Sequence, residues 1–113
     1  MDGDTVCIFT RNGMGDAPED LQQTLTKKFL SLLLEEKKFP AVFLFYTEGV
    51  KMACKGSNVL EELRALETAG VKLILCQTCL SYFNLLNQVE VGIVGGMGDI
   101  IEGMSKAGKV ISL

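Results

Sequence analysis

Two cysteines carry the clearest chemical signal in the chain. In "LILCQTCLSYF", residues 73–83, Cys76 closes an apolar run and Cys79 follows three positions later. The run reads as a buried strand and the residues after it as the start of a helix, so the pair falls at a strand-to-helix junction. A helix N-terminus offers unpaired backbone N–H groups and roughly half a positive charge, and both lower the pKa of a nearby thiol. The thiolate is the nucleophile. Such a pair could attack a persulfide or disulfide sulfur, hold a sulfane sulfur, or close on itself. Two buried cysteines filling small gaps in a core is the bland alternative. Zinc fits poorly, because one C-x-x-C supplies two ligands and no second pair exists.

What is missing narrows the chemistry further. The chain contains no histidine, which removes Ser-His-Asp and Cys-His catalysis and any His-ligated metal. Neither a metal nor an organic cofactor is expected. The net charge of −3 argues against nucleic acid. Lys27, Lys28, Lys37 and Lys38 fall on one helix face and its exit with no interleaved aromatics, the pattern of a solvated helix. No apolar run approaches the ~18 residues of a membrane span. The opening "MDGDTVCIFT" lacks the basic and apolar regions of a signal peptide. A cytoplasmic protein with reduced thiols is therefore expected. With 113 residues, 48% of them hydrophobic, residues 1–113 read as one domain with a true core.

The elements that must position the cysteines are legible in outline. Five short apolar runs, "TVCIF" (5–9), "AVFLFYT" (41–47), "VKLILC" (71–76), "VGIV" (91–94) and "KVISL" (109–113), are mostly continuous rather than alternating. That is the pattern of parallel strands covered on both faces. Between them, residues 19–36 place Leu21, Leu25, Phe29, Leu32 and Leu33 at helical spacing, an expected inward face. Pro18 suits the first helical turn, with Asp16 as a cap. Residues 58–69 form a second helix, with Asn58 and Glu61 spaced for a capping box and Gly70 as a left-handed stop. Residues 77–87 and 98–107 read as shorter helices. The order βαβαβαβαβ calls for an α/β fold with a parallel sheet between helices.

In such sheets reactive groups gather at the carboxyl ends of the strands. That edge here carries "RNGMGD" (11–16), "TEGVKMACKGSN" (47–58), "CQTC" (76–79) and "GGMGD" (95–99). The two glycine-rich stretches match neither a phosphate-binding loop nor the dinucleotide fingerprint, and read first as tight turns. The glycines of 95–99 could let the backbone approach Cys76 and leave room for a substrate sulfur. Glu48, Lys51 and Ser57 are the polar groups placed to line a pocket, and Lys51 could lower a thiol pKa. Cys54 could face Cys76 across neighbouring strand ends or be a plain loop cysteine. Cys7 reads as core. Met14, Met52, Met97 and Met104, with Phe83, could form an apolar lining or a subunit contact.

The stretches "EGVKMACKGSNVLEELRALETAGVKLILCQTCLSYF" (48–83) and "VGIVGGMGDIIEGM" (91–104) resemble the DsrE/DsrF-like family, closest to the DsrE-type domain of the YedF proteins. Gly49-Val50-Lys51, Gly56-Ser57 and Cys76 through Leu80, a Cys-x-Thr-Cys-Leu motif, match segments that recur there in this order. The resemblance implies a three-layer α/β/α sandwich around a five-stranded parallel sheet, and homo-oligomers of a trimer or larger. It also implies a sulfurtransferase-like sulfur relay using cysteine persulfide, linked to selenium metabolism, with protein sulfur donors and acceptors. Carried onto this chain, Cys76 would bear the sulfur and Cys79 would assist; Lys51, Ser57, Thr78, Gly96 and Met97 are the residues expected around the substrate. YedF proteins usually open with a TusA-like domain, whereas this chain starts at the first strand, as a stand-alone version or a separated domain would. Their later-loop asparagine is Gly96 here. A ligand-binding or scaffold oligomer and a C-x-x-C redox switch are the competing functions.

Overall fold

Val, Ile, Leu and Phe runs too short for helices must pair as strands, and they do. The computed structural model describes Met1 and residues 3–113. Strands β1 (Thr5–Phe9), β2 (Val42–Phe45), β3 (Lys72–Cys76), β4 (Ile93–Gly95) and β5 (Lys109–Ser112) form one sheet in the order β4-β3-β2-β1-β5. All four pairings are parallel. Helices α1 (Glu19–Glu36), α2 (Leu60–Thr68), α3 (Gln77–Tyr82) and α4 (Met97–Ser105) connect them. From β1 to β4 the chain steps the same way each time, so right-handed crossovers place α1, α2 and α3 on one face. The step from β4 back to β5 reverses direction and puts α4 on the other, against β2, β3 and β4. The result is the expected three-layer α/β/α fold.

The core lies on the three central strands. Every residue of β1 is buried, as a strand covered on both faces requires. Phe9 stacks on Phe43 and Phe45, each with ring centroids 5.6 Å away. Full burial of each such ring contributes about 1.5–3 kcal/mol. Burial falls off towards the edges, where Ile93, Val94 and Val110 are exposed.

Several sequence expectations need correction. The buried face of α1 is Gln22, Thr26, Leu30 and Leu33, while Leu21, Leu25 and Leu32 are exposed. Two polar residues can face inward because their polar atoms are satisfied: Gln22 Nε2 donates to the Gly15 carbonyl at 2.7 Å and Thr26 Oγ1 to that of Gln22 at 2.8 Å. The loop 11–16 packs directly on this face, so closely that a Cβ on Gly13 would run into Gln22. Asp16 is no cap, since Pro18 holds that position and its carbonyl accepts the Leu21 and Gln22 amides. The Asn58–Glu61 capping box does not form either. Val59 is the N-cap of α2, and its N–H donates to Ser57 Oγ at 3.2 Å. The expected helix over 77–87 stops at Tyr82 because Asn84 takes a left-handed φ of 58°. The Leu85 N–H then returns to the Leu80 carbonyl at 2.8 Å, a Schellman closure with asparagine in the role usually given to glycine. Gly70, at φ 102°, ends α2 the same way, as expected.

The loop expected after β2 is instead a 3₁₀ helix, Thr47–Ala53. It is seated on the end of β1: the Phe9 carbonyl accepts the Tyr46 N–H at 3.1 Å, and a Cβ on Gly49 would collide with that carbonyl oxygen. Because the obstacle is backbone, Gly49→Ala should lower stability by roughly 2–3 kcal/mol in urea unfolding. A change below about 0.5 kcal/mol would show that the contact is not tight.

Candidate functional site

The thiol pair lies where β3 hands over to α3. Cys76 is the last residue of β3 and the N-cap of α3, with extended backbone at φ −65° and ψ 119°. Cys79 lies in the first helical turn, three residues on, so both side chains project from the same side of the turn. They differ sharply in access: Cys76 is 2% exposed within the core, whereas Cys79 is half-buried. On the far side of Cys76, β4 pairs with it at Gly95, and Gly96 is the N-cap of α4.

A third residue completes the arrangement. The backbone N–H of Thr47 donates to Cys79 Sγ at 3.0 Å. Thr47 holds a left-handed φ of 49°, which costs a β-branched residue roughly 1–2 kcal/mol. Its hydroxyl donates to the Thr10 carbonyl, with the Tyr46 carbonyl 2.7 Å away. The strained backbone is thus held by Thr10, just past the end of β1, and it aims one amide at one sulfur. No sequence signal marks Thr47, because threonine disfavours this conformation.

The electrostatics of Cys79 run against the sequence expectation. Burial pushes its thiol up, and the hydrogen bond and charge it shares with Cys76 push the same way. The Thr47 amide opposes them without prevailing. Cys79 therefore rests as a thiol at neutral pH, with a donor already in place for negative charge arriving on its sulfur. Burial likewise raises Cys7 to about 11, and burial followed by Glu90 raises Cys54.

The other expected site residues divide into two groups. Lys51 and Ser57 line a cavity of about 360 Å³ together with Cys54, Lys55 and Phe83, and neither Cys76 nor Cys79 borders it. Lys51 is paired with Glu48 at 2.5 Å and lies 4.5 Å above the Phe83 ring. It is not among the groups that shift Cys54 or Cys79. The Cys54 Sγ donates to the Val50 carbonyl at 3.3 Å, as a plain buried cysteine would. Thr78, Gly96 and Met97 lie outside that cavity: Thr78 is exposed between the thiols, the Gly96 N–H donates to Asp99 at 2.9 Å, and Met97 is 55% exposed. Among the described residues no cluster of His, Cys, Asp and Glu could hold a metal ion.

A model of the DsrE/DsrF-like family matches residues 14–113. The curated proteins give no match. Solved structures do. The ychN protein from E. coli superposes with a TM-score of 0.73 at 16% identity, over 97% of this chain and 99% of that one. MTH1491 of Methanobacterium thermoautotrophicum, a protein of unknown function, gives 0.72 at 15% identity, over 99% and 100%. BT1422 of Bacteroides thetaiotaomicron, a conserved protein of unknown function, gives 0.69 at 16% identity, over 97% and 95%. At these identities the likeness is one of fold.

Since only the thiolate reacts, iodoacetamide labelling of Cys79 should accelerate with pH through a midpoint above that of a free cysteine. Cys76→Ala removes one of the two upward influences, so the midpoint should fall and labelling at neutral pH should quicken. Peptide mapping of the alkylated protein measures both. A wild-type midpoint at or below that of a free thiol would contradict this account.

Proposed function

The chain belongs to the DsrE/DsrF-like family, and on that premise we propose that it is a small sulfur-relay protein carrying sulfane sulfur as a persulfide on the Cys76–Cys79 pair. The observation that carries this reading is the half-buried Cys79 sulfur with the Thr47 amide 3.0 Å away and Cys76 beside it. Access reverses the roles implied by the family resemblance. Cys79 is the thiol that a donor can reach, and Cys76, sealed at 2% exposure, is its partner.

The transfer balances without a cofactor. The small thiolate fraction of Cys79, formed as its thiol gives a proton to solvent, attacks the outer sulfur of a donor persulfide R–S–SH. The donor S–S bond breaks, R–S⁻ leaves, and Cys79–S–SH forms. An acceptor thiolate then takes the outer sulfur in the same manner and returns Cys79 as thiolate. A persulfide is more acidic than its parent thiol, so the loaded residue ionises on its outer sulfur, and the Thr47 amide supports the charge that returns to Sγ when that sulfur is taken. Thr78 and Met97, both exposed, and Gly96, the N-cap of α4, are the residues this reading assigns to the donor's approach. A cytoplasmic setting suits four free cysteines. No helix among the described residues is long and apolar enough to cross a membrane.

Donor and acceptor proteins, and further copies of the chain, are the partners this reading requires. Exposed Leu21, Leu25 and Leu32 on α1, and Ile93, Val94, Met97 and Ile101 around β4 and α4, supply apolar surface for them. A trimer or larger assembly is expected. Sedimentation of a lone 12.3 kDa species at micromolar concentration would exclude it.

Intact-mass spectrometry after exposure to a low-molecular-weight persulfide tests the relay. A gain of about 32 Da should appear, vanish in Cys79→Ser, and be released by an acceptor thiol. A gain that survives in Cys79→Ser would overturn the assignment. Loss of about 2 Da under mild oxidant with no sulfur uptake would favour the redox switch, the second reading that a C-x-x-C pair of free thiols supports.

A further inference from the structure

The 360 Å³ cavity is left unexplained by the thiol pair, and its chemistry is one-sided. Lys51 and Lys55 line it and no carboxylate does, although the chain carries a net charge of −3. Glu90, which acts on nearby Cys54, is paired with Arg64 at 3.6 Å and is not part of the lining. The two lysines are not equivalent. Lys51 is neutralised by Glu48 and held over the Phe83 ring. Lys55 makes no ion pair among the described residues, while its backbone is pinned by a 2.8 Å hydrogen bond to the Gln88 carbonyl.

Further donors follow directly. The Gly56 and Asn58 amides have no hydrogen-bond partner among the described residues. A Cβ on Gly56 would meet nothing within 4 Å, so that backbone faces open space. Phe83 and Leu85 supply an apolar wall. The volume falls in the range of small-molecule sites and far exceeds a bare oxyanion.

We infer that this cavity binds a small organic anion, its oxyanion head on Lys55 and the Gly56 and Asn58 amides and its apolar body against Phe83 and Leu85. Carboxylate and phosphate heads share this chemistry. The site is separate from the Cys76–Cys79 pair and does not rest on the relay reading.

Nitrogen–proton correlation spectra of the full chain, titrated with benzoate, phenyl phosphate, inorganic phosphate and benzyl alcohol, test it. Benzoate or phenyl phosphate should shift the Lys55, Gly56 and Asn58 amides saturably at millimolar concentration, and the tighter of the two identifies the head group. Lys55→Gln, a change at an exposed side chain, should weaken that binding about tenfold. Cys79→Ser should leave it unchanged, which keeps this result apart from the fate of the relay. Absence of saturable shifts would overturn the inference, as would benzyl alcohol or inorganic phosphate binding as tightly as the ring-bearing anions. Unaltered affinity in Lys55→Gln would do the same.

Discussion

The close approach of Gly49 to the Phe9 carbonyl is the constraint on which the site depends. A parallel sheet fixes where each strand ends, because every buried backbone group must be paired. At the end of β1 the Phe9 carbonyl is paired with Tyr46 and covered by a residue that has no side chain. That seating turns the chain into the 3₁₀ helix instead of an open loop. Thr47 is then forced into a left-handed conformation and its amide is delivered to Cys79. One tight backbone contact between β1 and the following segment thus sets the hydrogen bonding of a sulfur that belongs to a different strand–helix unit.

The division between what the sequence foretold and what it hid follows the range of the forces involved. Strand positions and the limits of α1 depend on local apolar density and on Pro18, Glu19 and Asp20, all visible in the chain. So did the Gly70 stop. The inward face of α1 was hidden, since counting leucines ignores that Gln22 and Thr26 can be buried once their polar atoms find carbonyls. Gln22 finds one in Gly15, in a loop folded back onto the helix. The end of α3 was masked differently: asparagine is one of the few residues besides glycine that takes the left-handed region, but the apolar spacing through Leu86 ran past it.

The site shows the same split. Spacing alone placed Cys76 and Cys79 at the junction, and the structure has them there. Their unequal access and the upward push on Cys79 come from packing, which dominates a helix of only one and a half turns. Lys51 illustrates the point from the other side. Its charge looked useful to a thiol, yet Glu48 three residues earlier, together with the Phe83 ring, claims it.

Burial grades outward from β1, where it is complete, to β4 and β5, where most side chains meet solvent. Local opening should follow that gradient, with rim strands fraying in events far cheaper than global unfolding. Cys79 itself stands off the rims: its helix leaves β3, and its amide donor Thr47 is bonded to Thr10, just past the end of β1. Breathing at the β5 rim therefore leaves the sulfur's hydrogen bond intact, whereas opening of β4 would uncover Cys76 beside it.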